Sequence, residues 1–370
     1  MDELDLLARA LPDARPPSPE VVRRARARLA VGTRVARRGR PWALWAAVAT
    51  TGVVGVVFAL VANLAPAPVA VRPADPGQAL LDLAARVERR PEEKGAYWRT
   101  TTQSGRRMYA GTYTVRVTSE ADHWYPRDDK DPALTRWLAP VVRPDGRADE
   151  RAWRAAGAPK RITPECPSGS ATAECKELPV ADTTRPGCVY LWGVHRENPL
   201  SQAPLEDVTL ADLKAIPAEP RALDAYLRDQ HKSDPSQPVE TFVATKAARL
   251  LGLPLSPGQR AAVLRLLAAH PLTRVGGTVT DPLGRKGLSV SFGDQAGLDI
   301  AWYAQGRSVI AATTSTYVID PGTGATLAEV QTTNQALPGL AKGTALTYDA
   351  FESGWTDARP DRPRACSPSR

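Results

Sequence analysis

Histidine and cysteine are scarce, with four of each in 370 residues, and lysine appears nine times against 39 arginines. His123, His195, His231 and His270 lie far apart, and none has a second His or Cys at metal-ligand spacing. No zinc site and no histidine base is therefore nominated, and each histidine reads as a surface or strand-end residue. The chain also lacks a G-x-S-x-G elbow, an H-E-x-x-H helix, a phosphate-binding P-loop and a dinucleotide fingerprint. Asp128, Asp129 and Asp131 lack the central Gly and distal Glu of a calcium loop. The expectation is a protein that is not an enzyme, with no cofactor, no metal and no catalytic residue.

Charge of one sign is missing in two places. Residues 41–71 carry no charge at all, and the eighteen residues before Pro41 contain no acid but eight arginines, Arg23, Arg24, Arg26, Arg28, Arg34, Arg37, Arg38 and Arg40. Of the net charge of +8, residues 1–40 hold +5, from ten Arg against five acids. The remaining 330 residues hold 38 basic against 35 acidic side chains. No basic face is left for direct nucleic-acid binding. At 43% hydrophobic and 24% charged, most of the chain has the composition of a folded protein.

The uncharged stretch contains Trp42–Leu64, dominated by Ala, Val and Leu. As a helix it would be about 34 Å long, enough to cross a hydrocarbon core of roughly 30 Å. Trp42 and Trp45 suit the headgroup level, and Pro66 and Pro68 end the segment. The arginines before it place the N-terminus in the cytoplasm and the rest outside. A cleaved signal peptide is the competing reading, but its apolar core would be only about 7 to 15 residues. Ala47, Thr51, Gly55 and Ala59 form a small-residue stripe that would allow a homodimer through the span, although such spans are commonly rich in small residues.

The expected organisation is a cytoplasmic Arg-rich arm (1–40), a transmembrane helix (41–64), a Pro-rich stalk (65–76), an extracytoplasmic domain (77–360) and a tail (361–370). Within the arm, Leu4, Leu7 and Leu11 share one face of a short acidic helix. A second helix opens at Ser18-Pro19-Glu20. Two readings stand for this arm: topology and anionic-lipid binding, or docking into a cytoplasmic partner.

Beyond the stalk the pattern predicts a helix over 77–89 and strands over 96–103, 108–119 and 120–125. An irregular excursion over 126–190 follows, holding a short helix near 147–156. Helical signals cover 219–229, 240–251 and 258–269, the last opened by Ser256-Pro257, and Thr209 with Asp212 forms a capping-box pattern. Seven short strands then run from Val275 to Phe351, with Gly322-Thr323-Gly324 read as a hairpin carrying a left-handed glycine. The fold class expected is α+β: a curved antiparallel sheet with helices packed on one face.

Cys166, Cys175, Cys188 and Cys366 all lie beyond the span, on the oxidising side, so two disulfides are expected. The preferred pairing is Cys166 with Cys175, leaving Cys188 with Cys366. Tyr97, Trp98, Tyr109, Tyr113 and Trp124 cluster in the first sheet section, where they could line a cavity for an acyl chain or peptide, or pack as core.

Several stretches carry a family resemblance: Met1-Asp-Glu-Leu-Asp-Leu-Leu, Pro17-Ser-Pro-Glu-Val-Val-Arg-Arg-Ala-Arg-Ala-Arg-Leu, the single span, Leu213-Lys-Ala-Ile-Pro-Ala-Glu-Pro-Arg-Ala-Leu, Gln259-Arg-Ala-Ala-Val-Leu-Arg-Leu-Leu-Ala, Val279-Thr-Asp-Pro-Leu-Gly-Arg and Tyr317-Val-Ile-Asp-Pro-Gly-Thr-Gly. Together they resemble a family of actinobacterial single-pass membrane proteins often encoded beside extracytoplasmic-function sigma factors. The outer domain is similar to the lipoprotein-carrier (LolA-like) fold of periplasmic sigma-factor regulators of the RseB type. The resemblance implies a sensor or binding domain regulating a sigma-factor pathway, with the bilayer and a cytoplasmic sigma factor or its regulator as partners. The alternative is a membrane-anchored lipid or lipoprotein carrier, and the outer ligand is a lipid, peptide or protein. The arm lacks the His-x3-Cys-x2-Cys motif of zinc-type anti-sigma domains.

Overall fold

The computed structural model describes residues 76–128, 130–166, 175–181, 189–195, 209–210, 212–232, 235, 237–293 and 299–359. The arm with its Leu and Arg residues, the expected span, the stalk up to residue 75, Cys188, Cys366 and the tail lie outside the described residues. Among the described residues no helix is long and apolar enough to cross a membrane.

The fold is α+β and built on antiparallel pairing. Helix α1 (Pro76–Glu88) leads into the long strands β1 (Tyr97–Ala110) and β2 (Tyr113–Pro126). Then come β3 (Ala133–Leu138), β4 (Val141–Pro144), α2 (Arg147–Ala155), β5 (Arg161–Ile162), β6 (Leu178–Pro179) and β7 (Val189–His195). Helices α3 (Pro220–His231), α4 (Val239–Leu250) and α5 (Pro257–Ala269) precede seven strands. These are β8 (Thr273–Thr280), β9 (Lys286–Phe292), β10 (Ile300–Ala304), β11 (Arg307–Ala311), β12 (Thr313–Ile319), β13 (Thr326–Thr333) and β14 (Ala345–Thr356). The main sheet has ten strands in the order β7-β3-β2-β1-β14-β13-β12-β9-β8, with β4 also paired to β2.

Three expectations are corrected. The three strands expected between 96 and 125 are two, because the chain reverses at Gly111-Thr112 between the paired residues Ala110 and Tyr113. Gly111 takes φ +70°, which a two-residue hairpin loop needs and glycine supplies without strain. The excursion over 126–190 is not irregular throughout. Its β3 and β7 extend the main sheet, with Trp137 opposite Ala121 and Leu191. The strands expected near 298–303 and 308–313 leave the main sheet and pair with each other as the hairpin β10–β11.

Register sorts the side chains onto two faces. On one, Trp98, Tyr125, Val275, Val290, Phe292, Tyr317 and Ile319 meet Leu80, Leu83 and Val87 of α1 and the inner residues of α3, α4 and α5. A second cluster on the same face, including Met108, Val115, Val117 and Val142, is covered by Trp153 of α2 and by β5–β6. Cys166 and Cys175 form the expected disulfide there. The opposite face carries Tyr109 with Trp302 and Leu337, and separately Tyr97 with Trp124 and Leu134.

Local chemistry explains the helix starts. Ser256 accepts from the Gln259 N–H while Gln259 reaches back to the Ser256 N–H, and Pro257 opens α5. Glu219 accepts from the Ala222 N–H at the start of α3, ahead of Pro220. The Thr209–Asp212 capping interaction is present, but it opens only the four-residue turn Asp212–Ala215.

Candidate functional site

The helices cover only part of their sheet face. Between α4 and strands β1, β2, β3, β13 and β14 lies a groove of about 410 Å³. It exists because α4 ends at Leu250, and the chain after it is tied down at one point: Thr326 donates its hydroxyl to the Ala248 carbonyl and its N–H to the Leu251 carbonyl. That anchor sets Arg249 above the helix-facing phase of β13 and β12, which carries Glu329 and Tyr317.

The floor is polar. Register places Tyr317 opposite Glu329, and Glu329 opposite Asp349. Arg249 reaches Glu329 through Nε at 3.3 Å and Nη2 at 3.4 Å, a fork-to-fork pair longer than the usual charge-assisted bond. The Tyr317 hydroxyl is buried and lies close enough to Arg249 and Glu329 for both to act on it as hydrogen-bonding neighbours, though its geometry toward each falls short of a well-formed bond. Burial, with the Glu329 carboxylate adding to it, pushes the Tyr317 hydroxyl far above the usual tyrosine range, so it stays protonated. Burial works against the Arg249 charge, but Tyr317 and Glu329 outweigh it and hold the guanidinium protonated.

Toward the other wall, Ser104 donates to Asp349 at 2.5 Å. His123 Nδ1 lies 3.3 Å from the Thr135 hydroxyl, and the ring stacks on Tyr125. Trp137, 43% exposed, and Phe351 border the opening. The lining offers one guanidinium, two carboxylates, a phenol and several hydroxyls, beside the apolar surfaces of Ala121, Trp137 and Phe351. Such a set recognises a ligand by paired donors and acceptors, whereas an acyl chain would leave those groups without partners.

The aromatic residues singled out from sequence do not come together as a cavity wall. Tyr97 and Trp124 pack with Leu134, Tyr109 with Trp302, and Tyr113 with Val115 and Val117, all buried. Trp98 packs against the helices and borders a smaller cleft. None of the five lines the groove. Among the described residues no group of three or more His, Cys, Asp or Glu is placed to hold a metal ion. The groove residues Arg249, Tyr317, Glu329 and Asp349 were not nominated from sequence. A signal existed: Glu329, Gln331 and Thr333 recur at period two in β13 on the face that also carries Tyr317, Ser315 and Thr313 of β12. No family model, curated protein or solved structure matches the chain.

Proposed function

We propose that residues 77–360 form a non-catalytic sensor domain held outside the membrane by the segment at 41–64, and that the groove at Arg249, Tyr317 and Glu329 takes its ligand. The arm then passes the bound state to a cytoplasmic partner, a sigma factor or its regulator. The observation that carries this reading is the buried polar cluster on the floor of an open groove. Tyr317 holds a buried hydroxyl that makes no well-formed hydrogen bond to its neighbours, at the bottom of a space large enough for a small organic molecule.

A lipid or lipoprotein carrier would need a deep apolar cavity under the helices. That space is filled by Leu80, Leu83, Leu223, Leu227, Leu264 and Leu267 packed on the sheet, which favours the sensor. The Ser104 hydroxyl is engaged by Asp349 and not by a histidine, and this supports binding over nucleophilic catalysis.

A thermal-shift screen of full-length protein in detergent against small polar compounds tests the reading. Ligands that raise the wild-type melting temperature should lose most of the shift in Glu329→Gln and Arg249→Met. Turnover of any of them, abolished by one substitution in the groove, would replace the sensor with an enzyme.

A further inference from the structure

A second cleft, about 100 Å³, opens between the segment following α1, the start of α5 and the turn joining β12 to β13. Arg260 of α5 lines it and is only 9% exposed. Its guanidinium donates from Nη2 to the Leu253 carbonyl at 2.8 Å, and among the described residues no carboxylate stands within ion-pair distance of it. A charge that is nine-tenths buried is thus answered, among the described residues, by one backbone carbonyl, an arrangement that favours a counter-ion.

A second cation borders the cleft. Arg90 donates to the Gly322 carbonyl at 2.9 Å, which draws its side chain toward the turn. Trp98 and Trp355, packed edge to face at 5.6 Å, make an apolar wall that keeps the local dielectric low and strengthens charge-assisted bonds. Burial, with the Arg90 charge adding to it, pushes the Arg260 pKa down to about 10, against the opposing pull of Glu93 and Asp320, so the guanidinium is charged at neutral pH but poorly compensated. The exposed Glu92 and Glu93 stand at the cleft, with Glu93 only 3.7 Å from Arg90.

We propose that this cleft binds one small oxyanion, a carboxylate or phosphate group, with Arg260 at its floor and Arg90 at its mouth. The volume suits a single such group and excludes a nucleotide or an acyl chain. Glu93 is its intramolecular competitor, occupying Arg90 when the cleft is empty. The site is independent of the groove, and either stands without the other.

Titrating the full-length protein with inorganic phosphate and with acetate, in a buffer of large organic anions, decides the matter by calorimetry or thermal shift. Saturable binding at millimolar concentration or tighter is expected for at least one of them. Arg260→Met should weaken it at least tenfold. Because Arg260 is buried and that variant can lose its fold, two surface variants carry the test as well. Arg90→Gln should weaken binding several-fold, and Glu93→Gln, which removes the competing carboxylate, should tighten it several-fold. Absence of a saturable response of folded wild-type protein to phosphate, to acetate and to phosphatidylglycerol vesicles alike overturns the proposal. So do affinities unchanged in both Arg90→Gln and Glu93→Gln. Phosphatidylglycerol vesicles form a third arm: a response to them with none to the soluble anions assigns the same oxyanion to a lipid headgroup.

Discussion

Burial favours the neutral form of His270. Its Nδ1 accepts from the Leu272 N–H at 3.3 Å, so Nε2 carries the proton and donates to Glu240 at 3.1 Å. Burial pushes its pKa below the ordinary histidine value; Glu240 of α4 and Asp224 of α3 oppose the shift, and Arg228 of α3 adds to it. With the folded value depressed, unfolding takes up a proton, so this contribution is fully present above about pH 6.5 and is lost as pH falls toward the folded value. The melting temperature should therefore drop on acidification below about pH 6.5, and His270→Gln should flatten that part of the profile. A profile unchanged by the substitution would remove His270 from the account. Asp122, by contrast, is buried between Arg99, Arg136 and Thr101, and burial, which would raise its pKa, is outweighed by these partners. Asp122→Asn should cost roughly 1 to 3 kcal/mol in denaturant unfolding, the lower figures because both arginines can turn to water. Sequence reasoning found neither cluster, since Asp122 and Arg136, or Glu240 and His270, meet only through strand register and helix packing.

Elements were legible wherever a local rule decided them. The capping box at Ser256 and Gln259 and the Pro at the first position of α3 and α5 are written in consecutive residues, and all three helices α3, α4 and α5 stand within two residues of their expected ends. Ser256→Ala should cost about 1 kcal/mol, read as a lower urea midpoint with unchanged slope. Gly105 shows why the sequence pattern splits the first strand in two. A glycine beside Ser104 resembles a turn, yet it lies mid-strand because the Tyr348 ring crosses over it: a Cβ there would come within 2.1 Å of Tyr348 Cε1. The real turn, at Gly111, is followed by Thr112 and Tyr113 and looks like strand. Gly105→Ala should displace the ring and destabilise the pairing of β1 with β14 by about 1 to 3 kcal/mol, whereas Gly111→Asn, at a position that tolerates positive φ, should cost less.

At the scale of the whole molecule, the α+β class was legible from strand signals bracketing helices, but the strand order was not. Sequence neighbours predict a simple meander, whereas β14 closes beside β1 across almost the whole domain and β10–β11 is left as a separate hairpin. That closure makes the groove, because it brings Asp349 beside Ser104 and Glu329. Periodicity within each strand carries no information about it. The Tyr317 hydroxyl on the groove floor is one of the buried polar atoms left without a well-formed hydrogen bond, and the central proposal is that a ligand in the groove supplies one. Native mass spectrometry of the protein isolated gently from its native cells tests this most directly. A groove of about 410 Å³ should retain a small-molecule adduct on the order of a few hundred daltons on the wild-type chain. The same adduct should be absent from an equally folded Arg249→Met, Glu329→Gln double variant. Spectra identical between the two proteins, with or without an adduct, would contradict the account.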